Sequence, residues 1–164
     1  MALSTGHIFG KRVLYQLPAG DYIDWAGEML VQGRDSYSLR ILAGLPPSTS
    51  TSEAEDYFLR SARELGLSVP DPEAAVRGYA CEVARQIVEG HVAARDGVRE
   101  LYRICLATEH DRDYRIWLRL DDALDSLLSG EYAHAYESAT LEDFDEIATR
   151  EAEKFIAEMC GGGK

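Results

Sequence analysis

The sequence predicts an all-α fold: a single-domain bundle of six or seven helices behind an extended N-terminal arm. Three observations lead there. Apolar residues recur at three- and four-residue spacing in one window after another. Capping residues stand before these windows and glycines after them. No window sustains the period-two alternation that a sheet needs. The chain has 164 residues, enough for one domain with a sizeable core. Its apolar share, 46%, is that of an ordinary globular protein.

Residues 1–20 form the expected arm, 21–160 the helical domain and 161–164 a flexible tail. In "HIFGKRVLYQL" the residues Val13, Tyr15 and Leu17 alternate with Leu14 and Gln16. A lone strand has nothing to pair with, so this stretch reads as an arm packed on helices. Asp21 opens the first helix, whose stripe is Tyr22, Trp25, Ala26, Met29 and Leu30, with Gly33 as its left-handed stop. Ser36 caps a short second helix carrying Leu39 and Leu42. Gly44 ends it and the Pro46–Pro47 pair blocks continuation.

The polar tract "STSTS" leads into the third helix, where Ser52 and Glu55 make a capping-box pattern and Gly66 marks the stop. The fourth starts with Asp71 as cap, Pro72 at the first helical position and Glu73 at the positive end of the dipole. It carries Val76, Tyr79, Ala80, Val83 and Ile87 and closes at Gly90. Val98, Leu101, Tyr102, Cys105 and Leu106 define the fifth helix. In the sixth, Asp113 is the expected cap, Tyr114, Trp117, Leu118, Leu124, Leu127 and Leu128 the stripe, and Gly130 the end. The seventh is expected from Thr140, with Asp143 three residues on and Leu141, Phe144, Ile147, Ala148, Phe155, Ile156 and Met159 facing inward.

Charge is the most informative bulk property. The net is −12, and the excess of carboxylates grows toward the C-terminus. Such a chain repels phosphate backbones and anionic lipid, so neither nucleic acid nor membrane is an expected partner. No apolar run approaches the ~20 residues that a membrane helix needs. The N-terminal stretch lacks the pattern of a signal peptide, which makes the cytoplasm the expected location. Three cysteines, Cys81, Cys105 and Cys160, are widely spaced and odd in number. They suggest reduced thiols and neither a disulfide framework nor a zinc knuckle.

The densest chemistry lies in "EHDRDYRIWLRLDDALD", Glu109 to Asp125. Glu109, His110, Asp111 and Asp113 lie in the connection before the sixth helix. Asp121 and Asp125 are an i,i+4 pair, expected on the outer face with Arg115 and Arg119. A zinc helix would show two histidines four apart, and here there is one. A calcium loop needs a central glycine and a closing glutamate, which "DRDYRIWLRLDD" lacks. Caps and a solvated face therefore account for these carboxylates. His7, His91, His110 and His134 are scattered, and no nucleophile elbow or phosphate loop is present. Glu131–His134 is a single Glu-x-x-His spacing just after a helix-ending glycine; a dimetal bundle requires two. No metal or other cofactor is expected. "TLEDFDEIATREAE" has Arg150 and Lys154 at helical spacing from its carboxylates, as a solvated face does. Tyr132, His134 and Tyr136 stand in the last connection, where aromatic rings either close the bundle end or anchor a partner.

"MLVQGRDSYSLRILAGLPP" and "VEGHVAARDGVRELYRICL" resemble segments of small bacterial all-helical proteins described only as hypothetical, over residues 22–107. The resemblance implies structural roles: Gly33, Gly44, Gly90 and Gly97 in turns or close packing, and Leu39 and Leu42 in the core. It implies no catalytic residue. By property alone, the chain is also similar to small acidic immunity proteins.

The functional expectation is a non-catalytic, acidic protein-binding module, of the kind exemplified by an immunity-type inhibitor of a basic toxin domain. Its partner would be another protein, basic in charge. The expected binding face comprises Asp121, Asp122, Asp125, Glu142, Asp143, Asp145 and Glu146, with Tyr132 and Tyr136 as anchors. Two alternatives stay open: a small-ligand or metal-dependent enzyme with its site in the 109–113 connection, and a structural or oligomerisation module.

Overall fold

The computed structural model describes residues 3–15, 17–137 and 139–161. Among them are eight α-helices, two 3-10 turns and no strand. The helices are α1 (Thr5–Leu14), α2 (Ala19–Val31), α3 (Tyr37–Ala43), α4 (Thr51–Glu64), α5 (Pro72–Val88), α6 (Ala94–Ala107), α7 (Arg115–Leu128) and α8 (Phe144–Met159). None of the described helices is long and apolar enough to cross a membrane. The chain divides into two compact units, residues 1–79 and 80–164.

The all-α class is as expected, but the N-terminal arm is a helix. Ser4 accepts a hydrogen bond from the amide of His7 at 3.1 Å and so caps α1. The apparent alternation around Val13 is the edge of a helical pattern whose buried residues are His7, Ile8, Phe9 and Gly10. Gln16, part of that alternation, and residues 162–164 of the expected tail lie outside the described residues.

In the first unit Phe58 of α4 is the hub. Its ring lies 5.4 Å from Phe9 of α1, 5.4 Å from Tyr22 and 4.7 Å from Trp25, both of α2. Three helices thus meet on one fully buried ring, in the edge-on and tilted arrangements that aromatic quadrupoles favour. Around it the polar atoms find partners. Trp25 Nε1 donates to Thr5 Oγ1 at 2.9 Å, and Arg12 Nε donates to Glu55 Oε1 at 2.8 Å, tying α1 to α2 and α4. Burial, with Glu55 nearby, pushes the Tyr22 hydroxyl up to about 12. Glu64, at the end of α4, accepts from the amide and hydroxyl of Ser38 at 2.9 and 2.6 Å. A carboxylate is thereby held at the N-terminus of α3, where the dipole favours it, and its pKa is lowered by those bonds.

Two helix starts differ from expectation. The cap of α4 is Ser50, accepting from Glu53 N at 3.2 Å, two residues before the expected Ser52–Glu55 box. In a run of alternating Ser and Thr several registers satisfy the same pattern. Helix α2 begins at Ala19 behind Pro18, which leaves Asp21 inside the first turn. The fixed φ of proline ends the preceding segment before an Asp cap is needed. Asp71 is as expected, with its Oδ1 2.9 Å from Ala74 N.

Five helices end in one hydrogen-bond pattern, in which consecutive amides reach back to the carbonyls three and five residues earlier. Gly33, Gly66, Gly90 and Gly130 take the left-handed position after α2, α4, α5 and α7, with φ between 71° and 79°. After α6 the same place is held by Glu109, φ 55°, with His110 at 63°. Glu109 N bonds Leu106 O at 3.1 Å and His110 N bonds Cys105 O at 2.8 Å. Two side-chain-bearing residues thus take a conformation that costs each ~1–2 kcal/mol relative to the right-handed helix.

In the second unit Trp117 of α7 is fully buried, its ring 5.5 Å from Phe155 of α8. Tyr114 lies 6.0 Å from the same phenylalanine. Leu101, Ile104 and Cys105 of α6 and Leu120 and Leu124 of α7 complete the core with Phe144, Ile147 and Ala148. The reduced-thiol expectation is overturned for two of the three cysteines. Cys81 and Cys160 form a disulfide, with Cα atoms 5.9 Å apart at a sequence separation of 79, while Cys105 is a buried free thiol. Wide spacing along a chain says nothing of distance once helices fold back on one another.

Gly10 faces α5 so closely that an added Cβ would lie 2.2 Å from Tyr79 Cβ and 2.8 Å from the Ala75 carbonyl oxygen. Gly10→Ala is therefore expected to destabilise by about 1–3 kcal/mol. Gly27→Ala, with nothing within 4 Å of the new methyl, should be neutral or stabilising by up to ~1 kcal/mol. Urea melts of the two variants check the pair.

Candidate functional site

The 109–113 connection forms a capped turn on the surface. Asp111 Oδ1 accepts from Asp113 N at 3.0 Å and caps a 3-10 turn, Arg112–Tyr114, that leads into α7. The cap is Asp111 and not the expected Asp113, because the chain enters α7 through this tighter turn. Glu109, His110, Asp111 and Asp113 are all exposed. Among the described residues no group of three or more His, Cys, Asp or Glu is placed to hold a metal ion.

The expected acidic face is brought together in part. Its framework is α6, where Arg95 and Arg99, two of its three arginines, reach across to both neighbours. Arg99 Nη2 lies 3.4 Å from Asp125 Oδ1, in the last turn of α7. One turn earlier, Arg95 Nε donates to Asp145 Oδ1 at 3.1 Å and its Nη2 to the Leu141 carbonyl at 3.1 Å. The end of α7, the start of α6 and the start of α8 therefore share one surface. Asp125 and Asp145 lie on it, and Asp122, Glu142 and Glu146 are likewise exposed. Arg95 and Arg99 were not in the expected set; their four-residue spacing on one helix face was the available signal.

Asp143 and Thr140 form the reciprocal cap: Thr140 N donates to Asp143 Oδ1 at 2.6 Å, and Asp143 N to Thr140 Oγ1 at 3.3 Å. These bonds lower the Asp143 pKa. The turn they close precedes the helix proper, so α8 starts at Phe144, four residues after the expected Thr140.

Asp121 is a correction. It is 6% exposed and not part of an outer face. Lying four residues after Trp117 and three before Leu124, it falls on the buried stripe by helical period. Its Oδ1 accepts no hydrogen bond, and the Arg99 Nε stands 4.0 Å away. Burial, and then Asp125, push its pKa up.

The tyrosines divide. Tyr136 is half-buried. It closes the end of the unit: its hydroxyl donates to Glu151 Oε1 at 3.0 Å, and the Arg119 guanidinium lies 5.7 Å from its ring. Tyr132 is 57% exposed, edge-on to His134 at 4.9 Å. Glu151 itself is buried, with Lys154 Nζ donating to Oε1 at 2.8 Å. It is thus a structural acceptor and not part of the solvated face expected for that cluster. Glu151 also borders two adjoining hollows on the α7–α8 side. One, of 440 Å³, is lined by Arg112, Asp113, Ile116, Phe155, Glu158 and Met159 among others. The second, of 510 Å³, is lined by Arg119, His134 and Tyr136 among others. Nothing in the sequence spacing signalled these hollows, since they depend on how two distant helices lie side by side.

No protein-family model, curated protein or solved structure matches the chain.

Two outcomes follow for stability. Asp111→Ala should cost ~0.5–2 kcal/mol as a lost cap, and Asp113→Ala less than ~0.5 kcal/mol, both read from denaturant melts. For Asp121, a raised native pKa means that the folded state favours the protonated form. That contribution is complete below the unfolded pKa, near ~4, and is lost as pH rises through the native one. Asp121→Asn should therefore stabilise at neutral pH by on the order of 1 kcal/mol, the gap closing below about pH 4. Thermal melts across pH check the sign.

Proposed function

We propose that the second unit is a protein-binding module whose acidic surface, at the junction of α6, α7 and α8, receives a basic partner protein. The observation that supports this best is the company the carboxylates keep. Leu128 is 54% exposed, Tyr132 57% and Leu141 41%. They belong to the same stretch of chain as Asp122, Asp125, Glu142, Asp145 and Glu146. Apolar and aromatic anchors within a charged rim are the composition of a protein interface, and isolated solubilising charge needs no such anchors. The carboxylates would speed encounter and select for a cationic surface, while Leu128, Tyr132 and Leu141 would supply the desolvated contact. Residues 80–164 carry nineteen acidic and ten basic side chains, so the bias extends over the whole unit. An immunity-type inhibitor of a basic toxin domain is the specific form that this reading takes.

Immobilised full-length protein should retain a basic protein from lysate of its native source at low salt and release it near ~0.5 M salt, as screened charge pairs require. The Asp122→Lys/Glu146→Lys variant and, separately, Leu128→Glu should each lose at least about tenfold in affinity for that protein, a loss of ~1.4 kcal/mol. Retention of the same partner by both variants, or a retained protein without excess positive charge, overturns the proposal.

A further inference from the structure

We infer that the Cys81–Cys160 disulfide is a redox latch on the last turn of α8 and on the hollow which that turn borders. The buried residues of α8 are Phe144, Ile147, Ala148, Glu151, Ala152 and Phe155. None lies beyond Phe155. Residues 156–160 are half-buried or exposed, so little apolar burial holds this turn in place. Its local chemistry is also unfavourable. There is no basic residue in the last turn, and Glu158 stands there against the negative end of the helix dipole. Cys160 closes the helix with its amide on Ile156 O and adopts no left-handed glycine cap of the kind seen after α2, α4, α5 and α7. What fixes the turn is the covalent bond from Cys160 to Cys81 on α5.

The two cysteines stand in unequal surroundings. Cys81 is 4% exposed and Cys160 half-buried. A thiolate of a dithiol reductant therefore attacks Cys160 Sγ. The S–S bond breaks, and Cys81 leaves as a thiolate that takes up a proton. The second thiol of the reductant then attacks its own sulfur in the mixed disulfide and releases the Cys160 thiolate. The reductant is oxidised by two electrons to its cyclic disulfide, and the protein disulfide is reduced to two thiols. Cys105, fully buried with its pKa pushed up by burial, does not compete as a nucleophile.

The consequence of reduction is local. Glu158 and Met159 line the 440 Å³ hollow beside Arg112, Asp113 and Ile116. When the last turn frays, that wall is lost, while Phe155 keeps the rest of α8 against Trp117 and Tyr114. The oxidised protein thus presents a groove walled at this end by the last turn of α8, and the reduced protein a groove without that wall. The latch stands whether or not the acidic surface binds a partner.

The test uses the full chain purified without reductant. Thiol counting after denaturation should find one free thiol, Cys105, and three after dithiothreitol. Hydrogen-exchange mass spectrometry should then show exchange over residues 156–160 rising about tenfold or more on treatment with dithiothreitol, with residues 144–155 unchanged. Glutathione disulfide should restore protection. Cys160→Ser should reproduce the open state untreated, and Cys105→Ser should behave as wild type; if Cys160→Ser fails to fold, the dithiothreitol comparison on wild type still decides. Three free thiols in the untreated protein, unchanged exchange on reduction, or loss of protection spreading through residues 144–155 would each overturn the latch.

Discussion

Phe155 is the contact on which the second unit turns. Its ring meets Trp117 from the start of α7 and Tyr114 from the 3-10 turn before it. One side chain thereby sets where α8 lies and which of its turns are supported. N-terminal to it, every inward position of α8 is buried. C-terminal to it, the helix depends on a covalent bond. Phe155 also lines the 440 Å³ hollow on the α7–α8 side. Phe58 plays the corresponding part in the first unit, where α1, α2 and α4 converge on its ring.

Much of the architecture was legible because helix ends carry chemistry of their own. Gly33, Gly66, Gly90 and Gly130 could be assigned as stops because a left-handed residue is needed there and glycine takes it without steric cost. Glu109 shows the limit of that reasoning: the same hydrogen bonds form with a residue that no composition rule would choose. Helix α1 was misread because "HIFGKRVLYQL" offers only three alternating positions, too few to separate period two from period 3.6. Gly10, a residue of low helix propensity, is required by the approach of Tyr79 and Ala75. That requirement lies some 65 or more residues away in sequence.

The candidate surface was legible in composition and less so in detail. Asp122, Asp125, Asp145 and Glu146 fall on exposed helix faces as the period implies. Asp121 was assigned to them by charge, although its spacing from Trp117 already placed it on the buried stripe. The arginines that organise the surface belong to α6, and their reach to Asp125 and Asp145 follows from packing between helices. Charge counting alone therefore overstated the acidity of this surface, since Arg95 and Arg99 offset part of it. What remains uncompensated is concentrated at Asp122, Glu142 and Glu146.

The position of the disulfide in the chain bears on how the protein is made. Synthesis runs from the N-terminus, and Cys160 follows the last residue of α8. By the time the ribosome has added it, the residues of the eight described helices have been joined, and Cys81 has waited through 79 residues of elongation. The bond therefore cannot form before the residues of the eight described helices are in the chain. Phe155, packed on Trp117 and Tyr114, sets α8 where its end meets α5, so the folded chain holds the two sulfurs together.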